Sequence, residues 1–204
     1  MTTPGKIICV GRNYRDHAKE LGNDVPRQPL LFFKPATSMI RGGAAIELPP
    51  DAGRVDYEGE IGVAIGAKMR RVTEAEALRG IRGLFAANDV SAREWQKSDD
   101  QWARAKGCDT FLSIGNEVPA PADLSGVTVV TRQNGVEKQR ATGADMVFSI
   151  PFLIAYISRY MTLEPGDLLL TGTPAGVGPI APGDTVEIEL VGLSKVSNPV
   201  VAGQ

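Results

Sequence analysis

The chain is poor in the features that mark the commonest specialised scaffolds. It has two cysteines, Cys9 and Cys108, in 204 residues, which excludes the disulfide framework of a small secreted fold. Neither belongs to a C-x-x-C pair, and the single histidine, His17, is distant from both in sequence, which disfavours a cysteine-based zinc site. Positive charge is not in excess: 22 Lys and Arg stand against 24 Asp and Glu, for a net charge of −2. That balance, with no basic stretch rich in stacking side chains, argues against a nucleic-acid binder. Long apolar runs are also missing. Leu168-Leu169-Leu170 is typical of the longest and falls far short of a membrane span. The polar start, Met1 to Lys6, has no apolar segment of the signal-peptide kind, so the default expectation is a cytoplasmic protein without membrane partners.

What remains is 43% hydrophobic, enough for one domain over residues 1–204 with a sizeable core. The 23 glycines and 14 prolines are scattered, as expected for short strands joined by tight turns. No solenoid-period repeat is present. Lys6–Gly11 and Leu30–Lys34 read as strands, the second stopped by Pro35, and Arg15–Leu21 as a short helix. Tyr57–Gly66 alternates: Tyr57, Ile61, Val63 and Ile65 face one way, Glu58, Glu60, Gly62 and Ala64 the other. Thr73-x-x-Glu76 is a capping box for a helix to about Arg82, and Gly83–Asn88 follows as a strand. Asn134-Gly135 between Val127–Thr131 and Glu137–Thr142 signals a hairpin. Ser149 caps a helix with Pro151 in its first turn and an apolar face of Ile150, Leu153, Ile154, Ile157 and Met161. Pro-Gly-Asp turns at 165–167 and 182–184 each precede a β-rich run, Leu168–Thr171 and Thr185–Leu190. The class is α+β, dominated by strands.

Chemistry-bearing residues are spread along this frame. Glu58 and Glu60, two apart on a strand, share a face at roughly 7 Å between Cα atoms. Such acids repel, and a cation between them relieves the repulsion. With a third acid they make a hard oxygen site suited to Mg²⁺ or Mn²⁺, whereas E-x-E alone reads as a solvated edge strand. Asp89, at the end of a strand, can be that acid or merely a turn or N-cap residue. His17 and Glu20 are i and i+3 on a helix, so a carboxylate can orient the imidazole as a general base; alone, the pair reads as exposed and incidental. Lys106 lies among small residues where it could approach a bound carboxylate, although a lone lysine is more often at the surface. The loop 171–178 is glycine-rich after a strand and can present N–H groups to an anion. It lacks the Gly-Lys-Ser/Thr ending of a nucleotide loop.

Taken in order, Val10-Gly11-Arg12-Asn13-Tyr14 with Asp16-His17, Phe33-Lys34-Pro35, Asp56-Tyr57-Glu58-Gly59-Glu60, Asn88-Asp89-Val90-Ser91-Ala92-Arg93, Ala105-Lys106, Phe148-Ser149-Ile150-Pro151 and Thr171-Gly172-Thr173-Pro174-x-Gly176-Val177-Gly178 resemble the fumarylacetoacetate hydrolase family. The resemblance implies its mixed β-roll, usually a homodimer, and Glu58, Glu60 and Asp89 as ligands of Mg²⁺ or Mn²⁺. It implies a water-activating dyad of His17 and Glu20, on a segment that orders with substrate, and Lys106 on the substrate's carboxylate or oxo group. Arg12, Tyr14, Lys34, Arg93, Gln96 and Thr173 match motif positions near the pocket. Within the family the chain is similar to the compact acylpyruvases and fumarylpyruvate hydrolases. The implied reaction is hydrolysis of the C3–C4 bond of a 2,4-dioxo acid, giving pyruvate and a carboxylic acid. The alternatives are an oxaloacetate decarboxylase or tautomerase, and an isomerase or decarboxylase of meta-cleavage dienoates. Residues between Pro35 and Asp56, and those after Leu190, match no motif.

Overall fold

The computed structural model describes residues 3–20 and 24–204, and within the helix Arg15–Glu20 the side chains of Ala18 and Lys19 are outside the description. Strands dominate, arranged in curled mixed sheets. The largest sheet runs in the order Leu30–Lys34, Ile7–Gly11, Leu168–Leu170, Gly59–Ile65, Ile81–Asp89, Leu112–Ile114, Met39–Arg41. Its pairs are antiparallel except Ile7–Gly11 with Leu168–Leu170 and Met39–Arg41 with Leu112–Ile114. A second sheet orders Val136–Thr142, Thr128–Gln133, Thr185–Leu190, Ser194–Ala202, Ile46–Leu48. A small third one joins Gly178–Pro179, Val55–Tyr57 and Ser91–Ala92.

The central strands are buried on both faces, so their two-residue period separates two cores rather than core from solvent. Ile8, Val10, Ile61, Val63, Ile65, Leu84, Ala86 and Leu169 point into the larger core, where Val129, Ile188 and Val196 of the second sheet also lie. Their neighbours Ile7, Cys9, Ala64, Phe85, Ala87, Leu168 and Leu170 form a smaller core on the opposite face. The alternation read in 57–66 is therefore real, with Phe85 lying over Gly62: a Cβ there would come within 2.2 Å of its ring.

That strand starts later than expected. Val55–Tyr57 and Gly59–Ile65 are separate, and Glu58 belongs to neither. The break has a hydrogen-bonding cause. Glu58 N donates to the Asn88 side chain and Gly59 N to the Gln139 side chain, so neither feeds a ladder.

Local signals elsewhere act as their chemistry dictates. Thr73 and Glu76 make the reciprocal capping box of the helix Glu74–Arg79, which stops at Gly80, short of Arg82. Asn134 and Gly135 have φ of 53° and 79°, the left-handed pair of a two-residue hairpin turn. Ser149 caps Ile150–Ser158 through Phe152 N; Met161 packs on the core beyond the helix end. The helix at 15 is described to Glu20, and Leu21 lies outside the described residues. The segments that match no motif supply structure: Ser194–Ala202 pairs with Thr185–Leu190 and, in parallel, with Ile46–Leu48.

Candidate active site

The strand ladder itself assembles three carboxylates. Gly59 pairs with Asn88 in the antiparallel ladder, and Asp89 N donates to Glu58 O, so Glu58 and Asp89 face each other across the strands. Glu60 is two residues along from Glu58, on the face that Gly62 and Ala64 continue. All three are buried, at 5%, 1% and 0% exposure for Glu58, Glu60 and Asp89. One oxygen from each lies within 4.8 Å of the others. Glu60 also accepts from Gly172 N at 2.7 Å, because Leu170 pairs with Gly62 and carries the glycine loop past the strand end. The solvated-edge reading of E-x-E is thus corrected: the strand is central, and its acids are shut in.

Cations surround the acids. Lys106 Nζ donates to Glu58 Oε2 (2.7 Å) and Asp89 Oδ2 (2.8 Å) and is itself 2% exposed, so the surface-lysine reading also falls. Lys34 Nζ donates to Asp89 Oδ1 at 2.6 Å and to Val90 O. Arg93 reaches Glu58 Oε1 at 2.7 Å and Asp56 Oδ2 at 2.8 Å. Burial alone would raise the Glu58 carboxyl, but Lys106 and Arg93 beside it hold it well below the usual carboxylate range. Glu60 goes the other way. Burial, and then the Asp89 and Glu58 carboxylates, push it well above its ordinary value. Lys106 holds its proton more firmly than usual: burial works against this, but Asp89 and Glu58 outweigh it. An all-oxygen, hard-donor triad with one member under repulsion fits a divalent metal ion, and Glu58, Glu60 and Asp89 are the residues that can hold it.

A cavity of about 540 Å³ opens onto this cluster. Of the expected site residues, Arg12, His17, Glu20, Glu58, Glu60, Arg93, Gln96, Lys106 and Thr173 line it. His17 is 4% exposed, and its Nδ1 lies 3.2 Å from Glu20 Oε2, which leaves Nε2 for the cavity. Glu20 is held in turn by Gly176 N at 3.1 and 3.2 Å, and Gly176 O accepts from the Tyr57 hydroxyl at 3.0 Å. Burial pushes that phenol up to about 12, so it donates throughout the physiological range. Gln96 Oε1 accepts from Arg93. Thr173 Oγ1 donates to Gly59 O and accepts from Gln139 Nε2.

Three expected residues do not line this cavity: Asp89, which lies beneath Lys106 in the buried cluster, Lys34 and Tyr14. Lys34 sits behind Asp89, and Tyr14 is packed in the larger core with its hydroxyl unpartnered. Several contributors went unread in the sequence. Asp56 locks Arg93, Asn88 and Gln139 take the freed backbone donors, and Trp102 and Lys97 line the cavity. Asp56 and Asn88 lie within recognised motifs; the others carry no local signal. Cys9 lies near the cluster, but burial first and then Asp89 push its thiol up, leaving it an inert core side chain.

The buried acidic triad, the locked cations and the oriented histidine, brought together by curled mixed sheets, define the class of an enzyme site with a metal-fitting carboxylate cluster. The family description "Fumarylacetoacetate (FAA) hydrolase C-terminal" matches residues 6–201, and the chain belongs to that family. It is 43% identical over 197 residues to a mitochondrial oxaloacetate tautomerase of Arabidopsis thaliana, covering 94% of this chain and 88% of that protein. It is 40% identical over 198 residues to a mitochondrial oxaloacetate decarboxylase of Dictyostelium discoideum, covering 94% and 91%. Among solved structures, 5-carboxymethyl-2-hydroxymuconate delta-isomerase from Mycobacterium smegmatis matches with TM-score 0.91 and 44% identity, over 99% of this chain and 80% of that one. Family members are enzymes, and no helix among the described residues is long and apolar enough to cross a membrane.

Proposed function

We propose that the chain moves a proton at the carbon beside the ketone of a small 2-oxo acid of the oxaloacetate class, interconverting keto and enol forms. Loss of CO₂ through the same enolate is a companion reaction. The observation that carries this reading is the position of His17, which faces the same cavity as Glu58, Glu60 and Lys106. Glu20 fixes its tautomer, so Nε2 is the nitrogen that takes the proton from carbon and returns it. The Lys106 ammonium supports negative charge on the substrate oxygen. Arg93 and Gln96, tied to each other, shape the wall beside it. A divalent cation, Mg²⁺ or Mn²⁺, held by Glu58, Glu60 and Asp89 would supply further positive charge where the enolate develops.

Hydrolysis of an acylpyruvate, the first expectation from the sequence, uses the same groups but requires His17 to activate water. The tautomerase, decarboxylase and isomerase names of the relatives support the enolising alternative better. A small-molecule substrate and a homodimer complete the proposal, the latter checked by sedimentation.

The test uses metal-stripped protein with oxaloacetate, acetylpyruvate and fumarylpyruvate, with and without added Mg²⁺ or Mn²⁺. Enol loss is read by ultraviolet absorbance, and pyruvate and CO₂ are measured separately. Metal-dependent enol–keto conversion of oxaloacetate is expected. Turnover of the acylpyruvates alone would overturn the proposal in favour of the hydrolase.

A further inference from the structure

The glycine-rich loop at 171–178 presents backbone donors to anions, and both anions belong to the chain itself. Gly172 N donates to Glu60 at 2.7 Å, and Gly176 N to Glu20 at 3.1 and 3.2 Å. One loop therefore touches a carboxylate of the buried triad at one end and the partner of His17 at the other. The two ends are anchored separately. At the first, Thr171 Oγ1 donates to Ile61 O and Thr173 Oγ1 to Gly59 O. At the second, Gln139 Nε2 donates to Pro174 O and the Tyr57 hydroxyl to Gly176 O.

The second end needs its anchor. Gly176 has a φ of 98°, and a Cβ there would stand 2.2 Å from Lys138 O, so only glycine fits. Glycine brings backbone freedom with it, and the direction of its N–H has to be set from outside. Tyr57 sets it. This residue pairs with Gly178 across the third sheet, its side chain is buried, and its hydroxyl holds the Gly176 carbonyl. Glu20 needs holding as well. It is exposed, at the end of a helix of six residues, whereas His17 beside it is buried. A glutamate there has rotamer freedom to lose, and an i, i+3 contact alone offsets little of that. The Gly176 N–H bridges both oxygens of Glu20 and keeps Oε2 on His17 Nδ1.

We infer that Tyr57 is a positioning residue for proton transfer: through the Gly176 backbone it aims Glu20, and through Glu20 it keeps His17 Nε2 unprotonated and turned to the cavity. This rests on the enolising reading for the reaction, but it concerns the tautomer of one ring, which exists with or without turnover. A carboxylate only accepts, so Glu20 requires the imidazole proton on Nδ1. When Glu20 swings to solvent that constraint lapses. An imidazole with its proton on Nε2 cannot take another from carbon at that nitrogen. Tyr57 touches neither substrate nor His17; its hydroxyl acts two hydrogen bonds away from the ring.

The experiment compares wild type, Tyr57→Phe, Glu20→Ala and the double variant. His17 is the only histidine, so its two ring nitrogens give an unambiguous nitrogen NMR signature of the tautomer in the neutral ring. Oxaloacetate is assayed for kcat and KM in the Mg²⁺-loaded protein, and the Mg²⁺ affinity of stripped protein is measured by calorimetry. Wild type should hold the proton on Nδ1. Tyr57→Phe keeps the ring in the core and removes one donor. It should mix the tautomers and lower kcat about 10-fold at unchanged KM, a part of the roughly 10²–10⁴-fold that a general base contributes. Mg²⁺ affinity should not change, because Thr171 and Thr173 hold the other end of the loop. In the Glu20→Ala background, Tyr57→Phe should cost no further activity. An unchanged tautomer, an equal loss of kcat in both backgrounds, or a joint fall in Mg²⁺ affinity gives Tyr57 a packing role alone and overturns the inference. A tautomer shift in a protein that leaves oxaloacetate untouched would uphold it and refute the proposed reaction instead.

Discussion

Lys34→Met puts the charge arrangement of the buried cluster to a direct test. Lys34 and Asp89 are both wholly inaccessible, and their ion pair is 2.6 Å long, so solvent screening gives no relief. Glu58, Glu60 and Asp89 carry three potential negative charges beside Lys34, Lys106 and Arg93, and Arg93 is shared with Asp56, which Arg54 also pairs. Methionine keeps the volume and deletes one positive charge, leaving Asp89 with Lys106 alone. Removing one partner of a buried pair costs about 3–5 kcal/mol. For a chain of this length each kcal/mol shifts Tm by about 2–4 °C, so a fall of roughly 6–20 °C is expected in chelator-treated protein. Calorimetry or circular dichroism reads it, and added Mg²⁺ should recover part of the loss. The double variant Lys34→Met/Asp89→Asn should lose less than the sum of the singles, because the uncompensated charge is then gone as well. A fall below about 1 kcal/mol in the single variant, or strict additivity in the double, would refute the claim that Lys34 sustains the acidic cluster.

His17→Ala should reduce enol–keto conversion about 10²–10⁴-fold, the usual range for general-base help, while calorimetric Mg²⁺ binding persists. The gain in Tm from Mg²⁺ should grow as pH rises through and above the ordinary carboxylate range. Glu60 has a raised folded-state pKa, so its ionisation destabilises the metal-free fold as pH rises toward that pKa, and a cation removes the penalty; a gain independent of pH counts against this. Gly62→Ala places a methyl within 2.2 Å of the Phe85 ring, and urea denaturation should show a loss of about 1–3 kcal/mol from overpacking.

Much of this site was legible because its determinants are local. The capping box at Thr73, the Asn134-Gly135 turn and the Ser149 cap each depend on residues within one turn of chain. The i, i+2 spacing of Glu58 and Glu60 is also local, although Glu58 lies just before the strand Gly59–Ile65. What escaped depends on register between distant segments. Nothing near residue 58 says that Asp89 will stand opposite it, or that Asn88 and Gln139 will take its strand's N–H groups. Burial of Lys34 and Lys106 is equally non-local: a lysine enters a core only where carboxylates from other strands await it. Lys34 matches a motif position near the pocket, yet its ammonium points to Asp89 and Val90. Lys97 and Trp102 were missed because each reads as an ordinary residue of a short helix or loop.

The parts of the pocket come from different kinds of structure. The carboxylates are spaced by a ladder buried on both faces, while Arg12 and Lys97 come from a corner and a short helix at the margin. Evolution can therefore redraw the margin without disturbing the ladder. One inherited carboxylate frame can pass among descendants that differ in what they admit. Such a lineage should diversify by exchanging marginal side chains, keeping its acids in place while its preferred substrate drifts.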